Sequence, residues 1–301
     1  MTEIKKNEAV TKYPSAFSVV AREFKKDKIA LVSLITLSAI ILFVIGFNIY
    51  IRLTDLYASY HEVNILDRFL LPGEDGFLLG TDAGGHSVFG WLMMGIGNSL
   101  LISVLVTTLT VGFGTLVGLT ISYYGGAVDN IAMRIIDFLV ILPYLMIIIV
   151  FVSVYRGYGV ISFILMLAIL SWMGSARLVR SKTLSESRRD YVLASKTMGT
   201  SDFKIMFKGI LPNIASIIIV EATLLIVSNM GTEVALTFLG FGLPAGTPSI
   251  GTLLSYARDA DILVHRMYIW LPAALSILVL ALCINYIGQA LRRALDARQR
   301  L

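Results

Sequence analysis

Six apolar stretches run along the chain, separated by polar, turn-rich segments. The first, 29–51, has no charged side chain. As a helix it would rise roughly 34 Å, enough to cross a hydrocarbon core of about 30 Å. Residues 55–90 are polar, with Pro72-Gly73 and Gly84-Gly85 as chain breakers. The second stretch, 92–120, is again uncharged, and its Gly112, Gly114 and Gly118 offer the small-residue spacing that lets helices pack closely in lipid. These glycines sit inside an apolar span and the chain has no Gly-Lys-Ser/Thr, so packing fits them better than a phosphate loop. The third stretch, 135–154, is interrupted by Asp137 and Pro143, and the fourth is 157–176. The fifth, 214–240, carries Glu221 and Glu233, and the sixth is 267–289. The pattern predicts an all-α polytopic membrane protein of about six transmembrane helices. Its parts are an N-terminal tail (1–28), a membrane domain (29–291) containing a polar loop (177–212), and a C-terminal tail (292–301).

Composition agrees. Of 301 residues, 56% are hydrophobic and only 15% charged, against about 25% charged in soluble domains. The N-terminal run is too long for a signal-peptide core, and no small-residue cleavage pattern follows it. One cysteine, Cys283, excludes an internal disulfide. The net charge of +5 is a matter of topology, not of nucleic-acid binding, because the basic residues flank the apolar runs. With the N-terminus inside, the tail holds seven Lys and Arg, the second-to-third connection one, the fourth-to-fifth eight and the C-terminal tail four. That places 20 of the 25 on the cytoplasmic side, so both termini are expected there.

Residues 177–212 carry the most information. Asp190 is positioned to cap a short helix over 191–198, and Gly199 to end it in a left-handed conformation. Ser201 can cap a second short helix whose apolar face holds Phe203, Met206 and Phe207. The expected shape is a bent knob on the membrane surface that a partner can grip.

Tyr191-Val192-Leu193-Ala194-Ser195-Lys196-Thr197-Met198-Gly199, followed by Gly209-Ile210-Leu211-Pro212-Asn213, resembles the EAA loop of bacterial ABC importer permeases. Gly199 and Pro212 stand at that motif's spacing, while Leu193, Ser195 and Gly209 depart from it. Leu79-Gly80-Thr81-Asp82 with Gly85, Asn98-Ser99-Leu100, Tyr124-Gly125-Gly126 with Asp129, and Met133-Arg134 with Asp137 resemble the dipeptide, oligopeptide and nickel permeases. So do Leu239-Gly240-Phe241-Gly242, Gly251-Thr252-Leu253-Leu254 and the ending Leu291-Arg292-Arg293-Ala294-Leu295-Asp296. His86-Ser87, Ile250 and Arg293 replace residues usual in that family. Order and length resemble its "C"-type permease.

The resemblance implies a pore-forming, non-catalytic subunit of an ATP-driven importer in the bacterial cytoplasmic membrane, for di- or oligopeptides, with nickel or another small solute as the alternative. Its implied partners are a second, unlike permease, two ATPase subunits and an extracytoplasmic substrate-binding protein, with ATP used by the partners and no cofactor bound by this chain. The implied ATPase-coupling residues are Tyr191, Ala194, Ser195, Lys196, Met198, Gly199, Thr200 and Pro212.

Charges within spans are functional candidates. Asp137 lies one turn from Arg134, and an i, i+3 ion pair is the expected arrangement. Glu233, near Asn229 and Thr232, has two readings: Asn229 and Glu233 line the substrate path, or Glu233 faces the other permease. Glu221 is expected to serve packing or an interface. His61, His86 and His265 are too scattered for metal-ligand spacing, so no metal site is expected. A stand-alone secondary transporter would show repeated halves with broken helices, and no repeat is evident. A membrane enzyme would need a catalytic cluster at one depth, and none can be assembled.

Overall fold

The computed structural model describes residues 27–54, 56–155 and 157–298. The basic tail 1–26, Arg156 and Arg300 lie outside the described residues.

Among the described residues, all regular structure is helical. The helices are α1 (Lys28–Leu53), α2 (Leu56–His61), α3 (Val88–Tyr124), α4 (Gly126–Ile141), α5 (Tyr144–Val154) and α6 (Val160–Glu186). They continue with α7 (Asp190–Thr197), α8 (Asp202–Leu239), α9 (Ile250–Ser255), α10 (Ala260–His265) and α11 (Met267–Arg298). Helices α1, α3, α6, α8 and α11 are each long and apolar enough to cross a bilayer. The pair α4 and α5 is long and apolar enough together to count as a sixth, broken span, and it is bent by 67° at Leu142-Pro143. Pro143 explains the break: it has no N–H to donate, and its ring forbids the helical course behind it.

The helices overrun the apolar stretches at several ends. Helix α6 continues to Glu186 and α8 already begins at Asp202, so only residues 187–201 of the expected loop leave the long helices. Amphipathic turns with charged ends extend a span into the interface without further apolar residues.

Helix α3 is the central pillar. It packs along α6 most extensively and also touches α1, α8 and α9. One core cluster joins α1, α3, α8, α9 and α11 through Val44, Trp91, Met94, Met230, Leu253 and Leu280. A second joins α3, α5, α6 and α8 through Val106, Ile148, Phe163 and Leu236. Gly114 and Gly118 lie against the α6 backbone at Trp172–Val179, as their spacing predicts, whereas Gly112 has open space beside it. Cys283 is buried and free.

The first and last spans meet at one face of the bundle. Asp27 caps α1 by accepting hydrogen bonds from the N–H groups of Ile29 and Ala30, both at 3.1 Å. Arg293, near the end of α11, also binds the Asp27 carboxylate. These backbone bonds, Ala30 first, together with Arg293 hold the Asp27 carboxyl below its ordinary pKa. The start of α1 and the end of α11 therefore lie on the same side of the bundle.

On the opposite side, the segment between α2 and α3 is knit by its polar motif. The Thr81 hydroxyl accepts from Leu70 N–H at 2.8 Å and donates to the Asp67 carbonyl. Asp82 is fully buried and accepts from the N–H groups of Gly84 and His86, the His86 ring and the Tyr256 hydroxyl. Gly85 has φ +81°, and a Cβ there would lie 2.0 Å from the Asn64 carbonyl oxygen, so only glycine fits. His86 and Ser87 have structural work: His86 pairs with Asp82 and stacks on Trp91, while Ser87 caps α3. Burial, then the nearby Asp82 charge, push the Tyr256 hydroxyl above its ordinary pKa.

Candidate functional site

Two regions gather the residues singled out in the sequence: the elbow between α6 and α8, and the polar side chains inside the spans.

At the elbow, α7 is a two-turn helix that ends at Gly199, whose φ of +75° is the left-handed conformation a C-terminal glycine supplies. Asp190 is the first helical residue and not the cap. Arg189 occupies that position, and neither it nor Ser201 makes a side-chain capping bond. The second short helix is not separate either. It runs on into the fifth span through a π-helical turn, Ile205–Ile210, where Leu211 N–H bonds to Met206 five residues back. The wider turn accommodates Pro212, which cannot donate and would clash in a regular α-turn. It also shifts the buried face. Ile205, Met206 and Ile210 are buried, Phe207 packs half-buried against them, and Phe203, 68% exposed, lays its ring against Phe207 at 4.5 Å as the i, i+4 spacing predicts.

The elbow is anchored at three points. Val192 is fully buried among Leu119, Val179, Ile205, Ile210 and Ile214. The Tyr191 hydroxyl donates to Glu186 Oε1 at 3.0 Å and accepts from Asn213 Nδ2 at 3.0 Å, joining α7 to the ends of α6 and α8. Burial, and then the Glu186 contact, push that hydroxyl above its ordinary pKa. Tyr123, at the end of α3, donates to Asp202 at 2.6 Å, and Lys196 Nζ lies 4.5 Å from the centre of its ring. A push on α7 therefore reaches α3, α6 and α8 together. Ala194, Met198, Gly199 and Pro212 are exposed, as is Lys196 beside its contact with Tyr123, with Ser195 and Thr200 half-buried. Leu193 and Met198, 50% and 76% exposed, give this outer face apolar grip. Glu186, Tyr123, Asp202 and Asn213 carried no local signal of their role. The aromatic and polar residues nearest the Gly199 elbow were the available hint.

The charges inside the spans do not all sit where the sequence suggested. Glu233 is fully buried, accepting from the Ser99 hydroxyl at 2.8 Å and the Thr237 hydroxyl at 3.0 Å. Ser99 in turn accepts from Ile250 N–H at 3.2 Å. This carboxyl thus ties α8 to α3 and α9, and in this chain it is enclosed by those helices. Asn229 donates to Thr107 at 2.9 Å but also borders a groove between α6 and α8. Glu221 takes the Ser175 hydroxyl at 2.9 Å, in keeping with a packing role. Asp137 pairs across helices with Arg177 at 2.6 Å, not with Arg134 on its own helix. A second pair, Asp129 with Arg180, binds α4 to α6 nearer the elbow in a two-pronged contact. Among the described residues no group of three or more His, Cys, Asp or Glu is arranged to hold a metal.

Residues 110–301 match the family described as binding-protein-dependent transport system inner membrane component. The oligopeptide transport system permease protein OppC of Lactococcus lactis subsp. lactis (strain IL1403) is 45% identical, over 93% of this chain and 94% of its own. The chain belongs to this family. The dipeptide transport system permease protein DppC of Bacillus subtilis (strain 168) is 34% identical over 93% of this chain and 85% of its own. OppC of Mycobacterium tuberculosis (strain ATCC 25618 / H37Rv) is 32% identical over 97% and 98%. The permease is thus a multi-span protein of the bacterial inner membrane, one component of a transport system that also uses a binding protein.

Proposed function

We propose that this permease is one half of the pore of an ATP-driven peptide importer, and that the outer face of α7 and its Gly199 elbow is where an ATPase subunit grips it. The observation that carries the reading is the elbow itself: an exposed apolar face, Leu193 and Met198, mounted on three anchors to α3, α6 and α8. Tyr191, Ala194, Ser195, Lys196, Met198, Gly199, Thr200 and Pro212 form or support the contact. Closure of an ATPase pair would pull α7 and tilt the spans attached to it, exposing the path alternately to each side.

The peptide cargo is supported by the 45% identity to an oligopeptide permease and the 34% identity to a dipeptide permease. The remaining parts of this reading are a second, unlike permease, two ATPase subunits that carry out all ATP hydrolysis, and an extracytoplasmic binding protein. This chain needs no cofactor for such a role. The excess of Lys and Arg around the elbow supports a cytoplasmic position for that end and for both termini.

The test is co-purification from mild detergent, comparing wild type with Ala194→Arg and Met198→Asp. Both sites are exposed, so folding should survive. Wild type is expected to bring down the second permease and the ATPases. Each variant should keep the permease and lose the ATPases, since a central contact is worth at least about 2 kcal/mol, or about thirtyfold in affinity. Equal recovery of ATPase from all three refutes the docking face. Uptake of labelled tripeptide into proteoliposomes, dependent on ATP and binding protein, tests the cargo. Uptake of nickel in place of peptide would refute it.

A further inference from the structure

A groove of about 310 Å³ opens at the break in the third span. Its two long walls are faces of α6 and α8. Leu170, Ser171, Gly174 and Arg177 stand one above another on α6, and Leu225, Ser228, Asn229 and Thr232 do so on α8. The third side is the bent segment itself, from Leu139 to Tyr144 across Pro143. Each long wall covers seven helical rises, about 10 Å, which is the length of about three residues of extended chain.

Lipid does not suit this groove. Five of its side chains carry a hydroxyl or an amide, a sixth is a guanidinium, and the kink interrupts backbone hydrogen bonding at membrane depth. Such a surface is tolerated only where protein or a water-filled path covers it.

The hydrogen-bonding state of the walls defines what they can receive. The Ser171 and Thr232 hydroxyls donate to their own helix, to the Leu167 and Ser228 carbonyls, and so face the groove as acceptors. Asn229 gives one amide N–H to Thr107, which leaves its carbonyl oxygen and its second N–H. The one charged donor of the groove stands at one end, Arg177. Its Nη2 holds Asp137, and its Nε–H is buried with no acceptor among the described residues. A buried guanidinium N–H without a partner is an uncompensated cost that an incoming anion would remove.

We propose that this groove is a substrate-contacting wall of the path, in which Arg177 receives the C-terminal carboxylate of a short peptide while the acceptors on α6 and α8 take its backbone N–H groups. Asp137 is then the resident anion that the peptide carboxylate displaces. The walls offer no side-chain-specific pocket, so they read the backbone and one terminus and leave the sequence unread. The inference rests on the peptide-importer reading above.

The test uses the complete importer in proteoliposomes, with binding protein saturated beforehand by tri-alanine or by tri-alanine amide, so that uptake is compared per loaded binding protein. Wild type should move the free acid faster than the amide. Arg177→Gln should slow the acid about tenfold, the worth of one charged hydrogen bond, and abolish its advantage. Asp137→Asn should act in the opposite direction and increase the preference for the acid, because Arg177 is no longer occupied. If both variants slow acid and amide alike, the Arg177–Asp137 pair is a structural tie and the carboxylate site is refuted. An unchanged acid-to-amide ratio in both refutes it equally. A wild type that moves neither peptide while hydrolysing ATP refutes the peptide cargo itself, so the two failures are distinguishable.

Discussion

Placing an alanine at Gly118 should destabilise the protein, while the same change at Gly112, two turns away on the same helix, should not. A Cβ on Gly118 would stand 2.4 Å from the Ala176 carbonyl oxygen and 3.0 Å from the Arg180 backbone nitrogen. Carbon and oxygen approach no closer than about 3.3 Å even in favourable contacts. The atoms in the way are backbone, so no rotamer change relieves them. Helices α3 and α6 must separate by roughly 1 Å, which forfeits a quarter to a half of the dispersion energy at each contact that opens. Overpacking of this kind costs about 1–3 kcal/mol. Replacing glycine by alanine inside a helix returns up to about 1 kcal/mol. At Gly112 nothing lies within 4 Å of the new Cβ, so only that gain remains.

The helix gain is common to both, so the two alanine variants should differ by about 1–3 kcal/mol, a gap in apparent Tm of roughly 2–10 °C for a chain of this size. Detergent-solubilised protein heated in steps and run on size exclusion, with the monodisperse peak followed by fluorescence, measures it. Gly114→Ala should behave like Gly118→Ala, since its Cβ would meet Ser175 Cβ at 2.7 Å and the Trp172 carbonyl oxygen at 2.8 Å. If Gly118→Ala melts at or above Gly112→Ala, the close α3–α6 contact is not what these glycines serve.

Glu233→Leu should lose about 2–5 kcal/mol, because the buried Ser99 and Thr237 hydroxyls lose their acceptor at about 1–3 kcal/mol each, whereas Glu233→Gln should retain most of the stability. Slower transport by Glu233→Leu with an unaltered Tm would instead put this side chain on the substrate path. On the outer side, the Tyr256 hydroxyl has a folded-state pKa raised above 10.0 by burial and by Asp82. The stability it contributes is fully present below pH 10 and is lost as pH rises through the folded value. Wild type should therefore lose Tm more steeply above pH 10 than Tyr256→Phe, and parallel curves would show that this hydroxyl is not linked to the fold.

What the sequence disclosed, and what it hid, follows from the range of the physics involved. An apolar run long enough to cross a membrane is visible whatever its neighbours do, so the five long helices and the bent pair were legible, and Gly199 was legible because left-handed backbone is a property of one residue. The bend in the third span is equally local, since Pro143 forbids its own hydrogen bond. The ion pairs were not local. Asp137 had Arg134 on its own helix, yet its partner is Arg177, 40 residues on, because the face of α4 that carries Asp137 packs on α6. Glu233 was read as a pore or interface residue from its depth in the span. Depth gave no sign that Ser99, 134 residues earlier, would be opposite it. Phe203 shows a subtler point. The count that put Phe203 and Phe207 on one face held, their rings lying 4.5 Å apart, but it did not show which face the core covers: the π-turn begins after Phe203 and turns Ile205, Met206 and Ile210 inward, leaving Phe203 68% exposed. The proline was visible, and its effect on register was calculable. A helix that ends in a short loop before Leu-Pro is better read by asking first whether the proline terminates it or widens it. Here the buried Ile205 and Ile210, both passed over by the regular count, are the residues the widened turn selects.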